Sequence, residues 1–412
     1  MLLKADYLNA HCHCKALDKE QLAYPQYFSE QPHFISRGDL AQIEKFIIAY
    51  ETALKTQPAG YSSVSPGFAG EPVEPKPGAN RNLEKGIFNS YDFHISENGP
   101  QLIEINTNAA GAVLGLYATE SLHECCDQSY LKELRSLPLL NAAFNLLPTT
   151  VRFDANQLVE MFRREAALRF PERELTTVAI VDENPEQQFF HPEFLLVQKL
   201  LRTHNIGAVI AAPEEITIRD NIPYAKAIPL DFIYNRLTDF YFEKPGSQSL
   251  KDIYERGLAT VSPNPTVHAL YARKSKLAEV WSPAFDSAVE IDLIRRHIPE
   301  TLFVTDANRD ELWRTRKNWF FKPISGFGGK AVYRGDKLTA RVWSEIANGE
   351  YIAQKYVPAQ TRQITADLSL KYDIRVYTYG DEILGIMARY YQGQTTNFRT
   401  EHGGLASVMV AA

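Results

Sequence analysis

The strongest constraint on this chain is a strand pair at about 88–105 that carries acidic side chains among apolar ones. Apolar and polar residues alternate on both sides of an Asn-Gly sequence at 98–99, which is typical of a tight hairpin turn. Successive side chains of a strand point to opposite faces, so Glu104 and Asn106 share one face. Asp92 precedes Glu104 by about a dozen residues and can lie beside it on the partner strand.

Two carboxylates and an amide on one face form a set of hard oxygen ligands. Such ligands suit one or two Mg²⁺ ions, or Mn²⁺ in their place, which also hold substrate phosphates. Carboxylates on an otherwise apolar strand are costly to bury unless they are paired or bound to a metal. We therefore predict a metal site at Asp92, Glu104 and Asn106. The alternative is a solvated strand face with acidic residues by chance.

A glycine-rich segment follows Lys322, with glycines at 326, 328 and 329. Glycine lets backbone N–H groups approach an anion closely. A P-loop would require Ser or Thr after its Gly-Lys pair, where Ala331 stands, and a Rossmann fingerprint would open a helix rather than the β-like residues 331–333. The pattern predicts a glycine loop between two strands that covers a phosphate, and an ordinary glycine-rich hairpin is the alternative.

A third hairpin is predicted at 372–389, around the turn Gly380-Asp381-Glu382. It places Arg375 and Arg389 on adjoining strands. Arginine forks suit the neutralisation of phosphate oxygens. The alternative is that both arginines are charges at the rim of the protein.

In combination these segments resemble the ATP-grasp superfamily of carboxylate–amine or carboxylate–thiol ligases. The resemblance implies a magnesium motif at Asp92, Glu104 and Asn106, and catalytic arginines at Arg375 and Arg389. It implies that ATP phosphates are held by Lys276, Lys322, Gly326, Phe327, Gly328 and Gly329. It assigns the adenine-holding strand to Gln354, Lys355, Tyr356 and Val357, where Gln-Lys departs from the commoner Gln-Glu. It assigns contacts with the acyl substrate to Asn397 and Arg399.

The order of the motifs departs from the usual one, because the Glu-x-Asn strand precedes the arginine segment instead of closing the domain. This order is similar to that of eukaryotic-type glutathione synthetases, and permutation is tolerated where termini lie close together. We expect an α/β (α+β) chain with a circularly permuted ATP-grasp fold and a small open-sheet pre-ATP-grasp domain. The expected parts are a permuted ATP-grasp portion with the metal hairpin, the small domain, and the nucleotide-binding portion, at residues 1–150, 151–265 and 266–412.

Periodicity predicts several elements outside the motifs. An amphipathic helix is expected over Asp39–Lys55, a second helix is expected after an Asp154 cap, and residues 58–80 read as a Gly-, Pro- and Ser-rich loop. Thr177–Val181, a helix over His191–Thr203 and a strand near Ala208–Ala211 predict a βαβ unit, with a further strand candidate at 230–234.

Composition excludes several classes of protein. Hydrophobic residues make up 45% and charged residues 23% of the chain, which excludes a disordered chain and a coiled-coil rod. The net charge is −6 with no long basic block, so no nucleic-acid partner is expected. No apolar run approaches the roughly 20 residues of a membrane span, and no targeting signal is visible. Four cysteines favour a reducing compartment, and we expect a cytoplasmic protein.

The tract His11-Cys12-His13-Cys14 has the residue types of a metal site. Its donors are consecutive, however, and neighbouring donors rarely converge on one tetrahedral ion. We interpret this tract as structural or incidental, and a zinc or redox function as the minor alternative.

The resemblance implies an ADP-forming ligase that uses ATP and Mg²⁺ or Mn²⁺. It would activate a carboxylate as an acyl phosphate and join it to an amine or a thiol, with a carbon–nitrogen bond favoured. A non-catalytic ATP-binding protein and an ATP-grasp phosphotransferase are the alternatives. The co-substrates, which include small molecules or peptides, are not specified by the sequence, although the middle of the chain offers polar candidates in His191, Asn235, Arg236 and Asp239. A homodimer is compatible with the resemblance.

Overall fold

A computed structural model of the protein describes residues 24–56, 84–118, 149–150, 153–325 and 331–411. Its helices are α1 (Arg37–Thr56), α2 (Ala155–Arg169), α3 (His191–Thr203), α4 (Gln248–Arg256), α5 (Ser275–Glu279), α6 (Ile291–His297), α7 (Arg309–Arg314) and α8 (Ala340–Ala347). Its strands are β1 (His33–Ser36), β2 (Asn89–Ser96), β3 (Gly99–Asn106), β4 (Thr149–Thr150), β5 (Thr177–Val181), β6 (Gly207–Ala211), β7 (Ile216–Arg219), β8 (Ile222–Ala225), β9 (Ile228–Pro229), β10 (Phe232–Asn235), β11 (Thr260–Ser262), β12 (Thr301–Phe303), β13 (Trp319–Pro323), β14 (Tyr333–Arg334), β15 (Tyr351–Lys355), β16 (Thr361–Thr365), β17 (Leu368–Tyr379), β18 (Glu382–Tyr391) and β19 (Gly404–Ala411).

The largest sheet of the described residues contains strands from both ends of the chain. Its order is β1-β19-β18-β17-β2-β3, with β16 paired to β17 and β4 paired to β19. The predicted hairpins are present as β2–β3 and β17–β18, and β17 lies antiparallel to β2. The hairpin near residue 100 is therefore hydrogen-bonded to the hairpin near residue 380, although most of the chain separates them.

The two faces of this sheet have different roles, because alternate residues of a strand point to opposite sides. On one face, Ile374 and Val376 of β17 pack in the same apolar cluster as Phe46 and Tyr50 of α1. This helix was predicted over Asp39–Lys55 and is confirmed. The intervening residues of β17 point to the other face and leave it available for polar groups.

A parallel four-stranded sheet has the order β11-β10-β5-β6. The βαβ unit predicted from the sequence is confirmed as β5, α3 and β6, and the strand candidate at 230–234 is confirmed as β10. Helix α2 begins where expected, because a side-chain oxygen of Asp154 accepts a hydrogen bond from the Gln157 N–H at 2.8 Å.

An antiparallel four-stranded sheet, β12-β15-β13-β14, carries Lys322 near the end of β13. Strands β13 and β14 form the predicted hairpin. Its glycine loop at 326–330, the segment 58–80 and the His11–Cys14 tract lie outside the described residues. Strands β7, β8 and β9 form a separate small sheet. Among the helices described, none has the length and hydrophobicity needed to cross a membrane.

A buried glutamate of α2 connects the large sheet with the parallel sheet. Glu165 is fully buried and accepts hydrogen bonds from the N–H groups of Lys85 and Gly86 at 3.1 and 2.9 Å. It also accepts one from the Ser262 hydroxyl, at the end of β11, at 2.6 Å. Burial raises the pKa of Glu165, and these donors oppose that rise. One side chain thereby satisfies donors from two separate segments.

We expect Glu165→Ala to lower the free energy of unfolding by about 1–3 kcal/mol, because it leaves buried donors without an acceptor. Urea unfolding measures this change. Glu160→Ala on the same helix is the matched control, since Glu160 makes only an exposed ion pair with Arg163 at 3.8 Å and should change stability by less than about 0.5 kcal/mol. Equal effects of the two substitutions would contradict the connecting role.

Candidate active site

A cavity of about 510 Å³ lies where the three main sheets meet. Its lining includes residues of β2 and β3, of β13 and β15, and of β17 and β18, together with loops that follow β5 and β10. The predicted residues Asp92, Glu104, Asn106, Lys322, Gln354, Lys355, Tyr356, Val357, Arg375 and Arg389 all line it. Residues that are far apart in sequence therefore share one cavity.

The register of four strands explains why charged groups gather on its floor. Arg375 lies opposite Asp92 across the β17–β2 pair, and Asp92 lies opposite Glu104 across the β2–β3 pair. Directly opposed residues share a face of the sheet. Asp373 and Arg389 form the neighbouring pair between β17 and β18. One face consequently carries three carboxylates and two guanidinium groups.

These groups form a buried network with the geometry of charge-assisted hydrogen bonds. Arg375 donates from Nε and Nη2 to the two oxygens of Asp92, both at 2.7 Å. Arg389 donates from Nη2 to Asp92 at 2.8 Å and, from Nε and Nη2, to the two oxygens of Asp373 at 2.6 and 2.8 Å. All four side chains are buried. Two positive and two negative charges balance inside the protein.

The network sets the protonation of Asp92. Burial by itself would raise the pKa of this carboxyl, but the adjacent guanidinium groups of Arg375 and Arg389 hold it below its usual value. Asp92 is therefore a carboxylate, and both of its oxygens accept from arginine. In this structure it acts as the partner of the arginines, which the hairpin spacing alone did not predict.

Glu104 and Asn106 are the other two residues of the predicted metal motif. Asn106 donates from Nδ2 to Asp92 at 3.0 Å and to Glu104 at 3.4 Å, so its carbonyl oxygen is turned away from the two carboxylates. No group of three or more His, Cys, Asp or Glu side chains in the described ranges is arranged to hold a metal. The Glu104 carboxylate fits Mg²⁺, which usually takes one or two carboxylates together with substrate phosphates, and Asn106 would add its oxygen after rotation of its amide group.

Lys322 lies buried beside this pair. Its Nζ donates to the Ile103 carbonyl at 2.8 Å and to Gln354 Oε1 at 2.7 Å. The pKa of Lys322 is lowered to about 8: burial lowers it, the charge of Glu104 opposes that change, and the positive charge of Lys274 adds to it. Because this ammonium group is poorly solvated, it is suited to bind an anion.

The second lysine that the sequence motif proposed is not at the cavity. Lys276 forms a buried ion pair with Glu279 at 2.8 Å and does not line the cavity, whereas Lys274 does. Lys274 lies two residues earlier, just before α5, and residues two apart around a helix start point in different directions. The Arg273-Lys274-Ser275-Lys276 sequence offers two lysines, and the backbone direction at the start of the helix decides which of them lines the cavity.

The adenine-strand candidates border the cavity on the β13–β15 side. The Tyr356 ring stacks on Phe320 with 6.2 Å between centroids and 16° between planes. The Val357 carbonyl lies 2.8 Å from His94 Nδ1, which connects this segment to β2. Lys355 is exposed, and its ammonium lies 3.5 Å from Glu300. Gly326, Phe327, Gly328 and Gly329 lie outside the described residues.

Asn397 and Arg399, predicted to contact the acyl substrate, are exposed and do not line the cavity. Asn397 instead donates to the Gln392 carbonyl at 2.8 Å. Their neighbours Thr396 and Phe398 line the cavity. Thr396 donates to Asp373 at 2.6 Å, which links this segment to the arginine network.

The loops that follow two strands of the parallel sheet supply two further charged groups, Asp182 and Arg236. Arg236 lines the cavity and donates to Asn108 Oδ1 at 2.6 Å. Asp182 also lines it, and burial raises the pKa of this carboxyl to about 6 although the charge of Arg236 opposes the rise. The other polar candidates from the middle of the chain do not line the cavity, namely His191, Asn235 and Asp239. Asp182 directly follows a predicted buried strand, which is a signal that could have identified it.

Sequence comparison gives no match to a protein-family model and none to a curated protein. Structural comparison finds similarity to a glutathione synthetase-like effector from Globodera pallida in its apo form, with a TM-score of 0.54 and 9% identity over 93% of this chain and 90% of that one. The chain is also similar to a candidate gamma-glutamylcysteine synthetase from Methylobacillus flagellatus (TM-score 0.48, 11% identity, 92% and 89% covered). A third similar structure is the ATP-grasp ligase PsnB with its minimal precursor, with a TM-score of 0.37 and 15% identity over 57% of this chain and 78% of that one. The chain therefore shares its fold with a glutathione synthetase-like effector, in agreement with the glutathione synthetase-like fold that the motif resemblance implied.

We expect Asp92→Asn to destabilise the ligand-free protein by about 3–5 kcal/mol, because removal of one partner leaves a buried guanidinium charge uncompensated. Urea unfolding without added nucleotide or metal measures the change. Asp286→Asn is the matched control: Asp286 pairs with Arg295 at 2.6 Å but is 61% exposed, so its loss should cost at most about 1 kcal/mol. A ligand-free Asp92→Asn protein as stable as the wild type would show that the arginines do not depend on this carboxylate.

Proposed function

We propose that the protein is an ADP-forming ligase that uses ATP to activate a carboxylate as an acyl phosphate and joins it to an amine or a thiol. One observation carries this proposal: a single cavity brings a desolvated lysine and an oxygen-ligand pair together with two fixed arginines. Phosphoryl transfer depends on positioning and charge neutralisation more than on protein acid–base chemistry, and these are the groups it needs. The fold similarity is consistent with this activity.

The nucleotide would lie along β13 and β15. Tyr356 and Val357 would flank the adenine, and Gln354 orients Lys322 through its hydrogen bond. Lys322 and Lys274 would hold phosphate oxygens, with the glycine loop at 326–329 covering them. The lowered pKa of Lys322 supports this role, because an anion would restore the favourable environment that burial removed.

The arginines would act on the transferring group. A carboxylate is a poor electrophile, since attack adds charge to an anion, whereas an acyl phosphate carries a good leaving group. Arg389 would neutralise the charge that develops during transfer, and Arg375 would assist. Asp92 and Asp373 hold both guanidinium groups before any substrate binds, so little reorganisation is needed when charge develops.

Glu104 and Asn106 are the residues that would hold Mg²⁺ or Mn²⁺ together with phosphate oxygens. When bound, the metal would supply charge neutralisation for the phosphate groups. Asp92 lies behind this pair and would orient Asn106 through the 3.0 Å hydrogen bond that it accepts.

We also propose that the fold is circularly permuted, with parts at residues 1–150, 151–265 and 266–412. The adjacency of β2 and β17 supports this arrangement, because the Glu-x-Asn strand and the arginine strand share one sheet. A site requires its parts to be adjacent in space, and either order of the parts along the chain satisfies that requirement.

We expect Glu104→Gln to keep the fold and to abolish Mg²⁺-dependent ADP release, since an amide cannot replace a carboxylate as an anionic ligand. The assay is ADP release across a screen of amino acids, polyamines and small peptides as paired substrates. Glu97→Gln in the turn of the same hairpin is the control, because Glu97 is exposed.

Wild-type turnover in Glu104→Gln would exclude the metal role, and ATP binding without ADP formation in any pairing would favour a non-catalytic binder. Release of phosphate that needs both co-substrates would distinguish a ligase from a phosphotransferase.

We expect nucleotide affinity to fall as the pH rises through about 8. The pKa of Lys322 is lowered to about 8, so below this pH the group carries the charge that binds phosphate, and above it the free protein loses that charge. The dissociation constant of ADP should rise by up to about tenfold per pH unit above this value. Titration calorimetry from pH 7 to 9.5 measures the profile. Lys322→Arg keeps its charge over this range and should flatten it, and the same profile in both proteins would exclude Lys322 as the titrating group.

A further inference from the structure

The cavity has an aromatic wall that the nucleotide and metal chemistry does not use. This aromatic wall consists of the phenylalanines at positions 189, 190, 194, 240 and 398, all of which line the cavity. Phe189 and Phe190 directly precede α3, and Phe398 lies in the segment between β18 and β19. Three separate parts of the chain therefore present phenyl rings to the same space.

Three rings of the aromatic wall pack edge to face. Phe190 lies 5.1 Å from Phe189 and 5.2 Å from Phe398 between ring centroids, with interplanar angles of 88° and 87°. Tyr27 supports the first two rings from behind, at 5.0 and 5.6 Å. This arrangement is favourable for aromatic pairs and holds the rings in defined positions. The aromatic wall is thus ordered before any ligand is present.

Part of the aromatic wall is open to solvent. Phe189 is 37% exposed and is the one aromatic residue among the large apolar side chains exposed in the described part of the chain. Phe190, Phe240 and Phe398 are half-buried, whereas Phe194 is buried at the base. Removal of apolar surface from water lowers the free energy of the system. A small polar substrate would leave these rings in water, and a bulky apolar group would cover them.

The aromatic wall lies close to the proposed reaction centre. Thr396 donates to Asp373, which in turn holds Arg389. Phe398 follows Thr396 by two residues, and two residues of chain span at most about 7 Å. A carboxylate held at Arg389 can therefore extend its substituent onto the aromatic wall within the same cavity.

We propose that the carboxylate substrate carries an aromatic or large branched apolar group that binds the aromatic wall. This inference rests on the proposed ligase function, because that function supplies the carboxylate at Arg389. The aromatic wall would determine which acid is activated, and the arginines would act on the carboxylate of whichever acid is bound.

The test compares acids that differ only in the side group. Alanine, leucine, phenylalanine and glutamate are supplied as carboxylates with ATP, Mg²⁺ and hydroxylamine, which traps an acyl phosphate as a hydroxamate. We expect kcat/KM for phenylalanine or leucine to exceed that for alanine and glutamate by about tenfold or more. Hydroxamate formation that favours alanine or glutamate would overturn the inference and leave the ligase function intact.

Binding measurements separate the inference from the activity. If none of the acids gives ADP or hydroxamate, the ligase proposal fails for this class, and the aromatic wall is judged by titration calorimetry of 3-phenylpropanoate against propanoate. Binding of the phenyl acid about tenfold or more tighter supports the aromatic wall as an apolar subsite. Equal binding of the two acids overturns it.

Variants assign the preference to particular rings. Phe398→Ala and Phe189→Ala should each lower the preference for the apolar acid by about tenfold, mainly through KM, whereas Phe398→Leu should retain most of it. Phe189 is the more exposed of the two, so its substitution disturbs the fold least. Ile48→Ala, which removes an apolar side chain that is 51% exposed on α1, is the control and should leave the preference unchanged. An unchanged preference in both phenylalanine-to-alanine variants would overturn the assignment.

Discussion

The ion pairs that join Asp92 to Arg375 and Arg389 are the interaction on which the rest of the site depends. Two guanidinium groups side by side in a buried position repel each other and lose hydration, so they require compensating carboxylates in a fixed geometry. The register of β17 on β2 supplies Asp92, and the register of β18 on β17 supplies Asp373. A shift of one residue in either pairing would turn one partner to the opposite face. The same register places Glu104 beside the arginines and, through Thr396, anchors the segment that carries Phe398.

The cavity has two chemically different halves with one common border. The lysines and the Glu104–Asn106 pair lie on the side of β13 and β15, where an anion would compensate for the buried charge of Lys322. The aromatic wall lies on the side of α3, where apolar surface remains open. The arginines lie between the two. In the proposed reaction, charge transfer and substrate selection would therefore use different surfaces that meet at the carboxylate.

Much of this architecture could be predicted from the sequence, since hairpins and amphipathic helices depend on local periodicity. The β2–β3 and β17–β18 hairpins, helix α1 and the βαβ unit all follow from spacing and turn residues. Side-chain identity within the site was harder to predict. The predicted residues Lys276, Asn397 and Arg399 do not line the cavity, whereas their neighbours Lys274, Thr396 and Phe398 do. These differences of one or two residues arise because side-chain direction at a helix start or in a loop depends on backbone angles that no periodic pattern records.

The sequence by itself determined which residues share a strand face, because the period of two is a local property of extended backbone. It also placed Asp92 and Glu104 on the two strands of one predicted hairpin, and Arg375 and Arg389 on the two strands of another. Only the tertiary structure decided which of these charges pair with each other. Asp92 and Arg375 are 283 positions apart, and the energy of their interaction depends on a distance that exists only after the two hairpins lie side by side. For that reason Asp92, which the sequence motif marks as a metal ligand, is found in the structure as the carboxylate that holds the arginines.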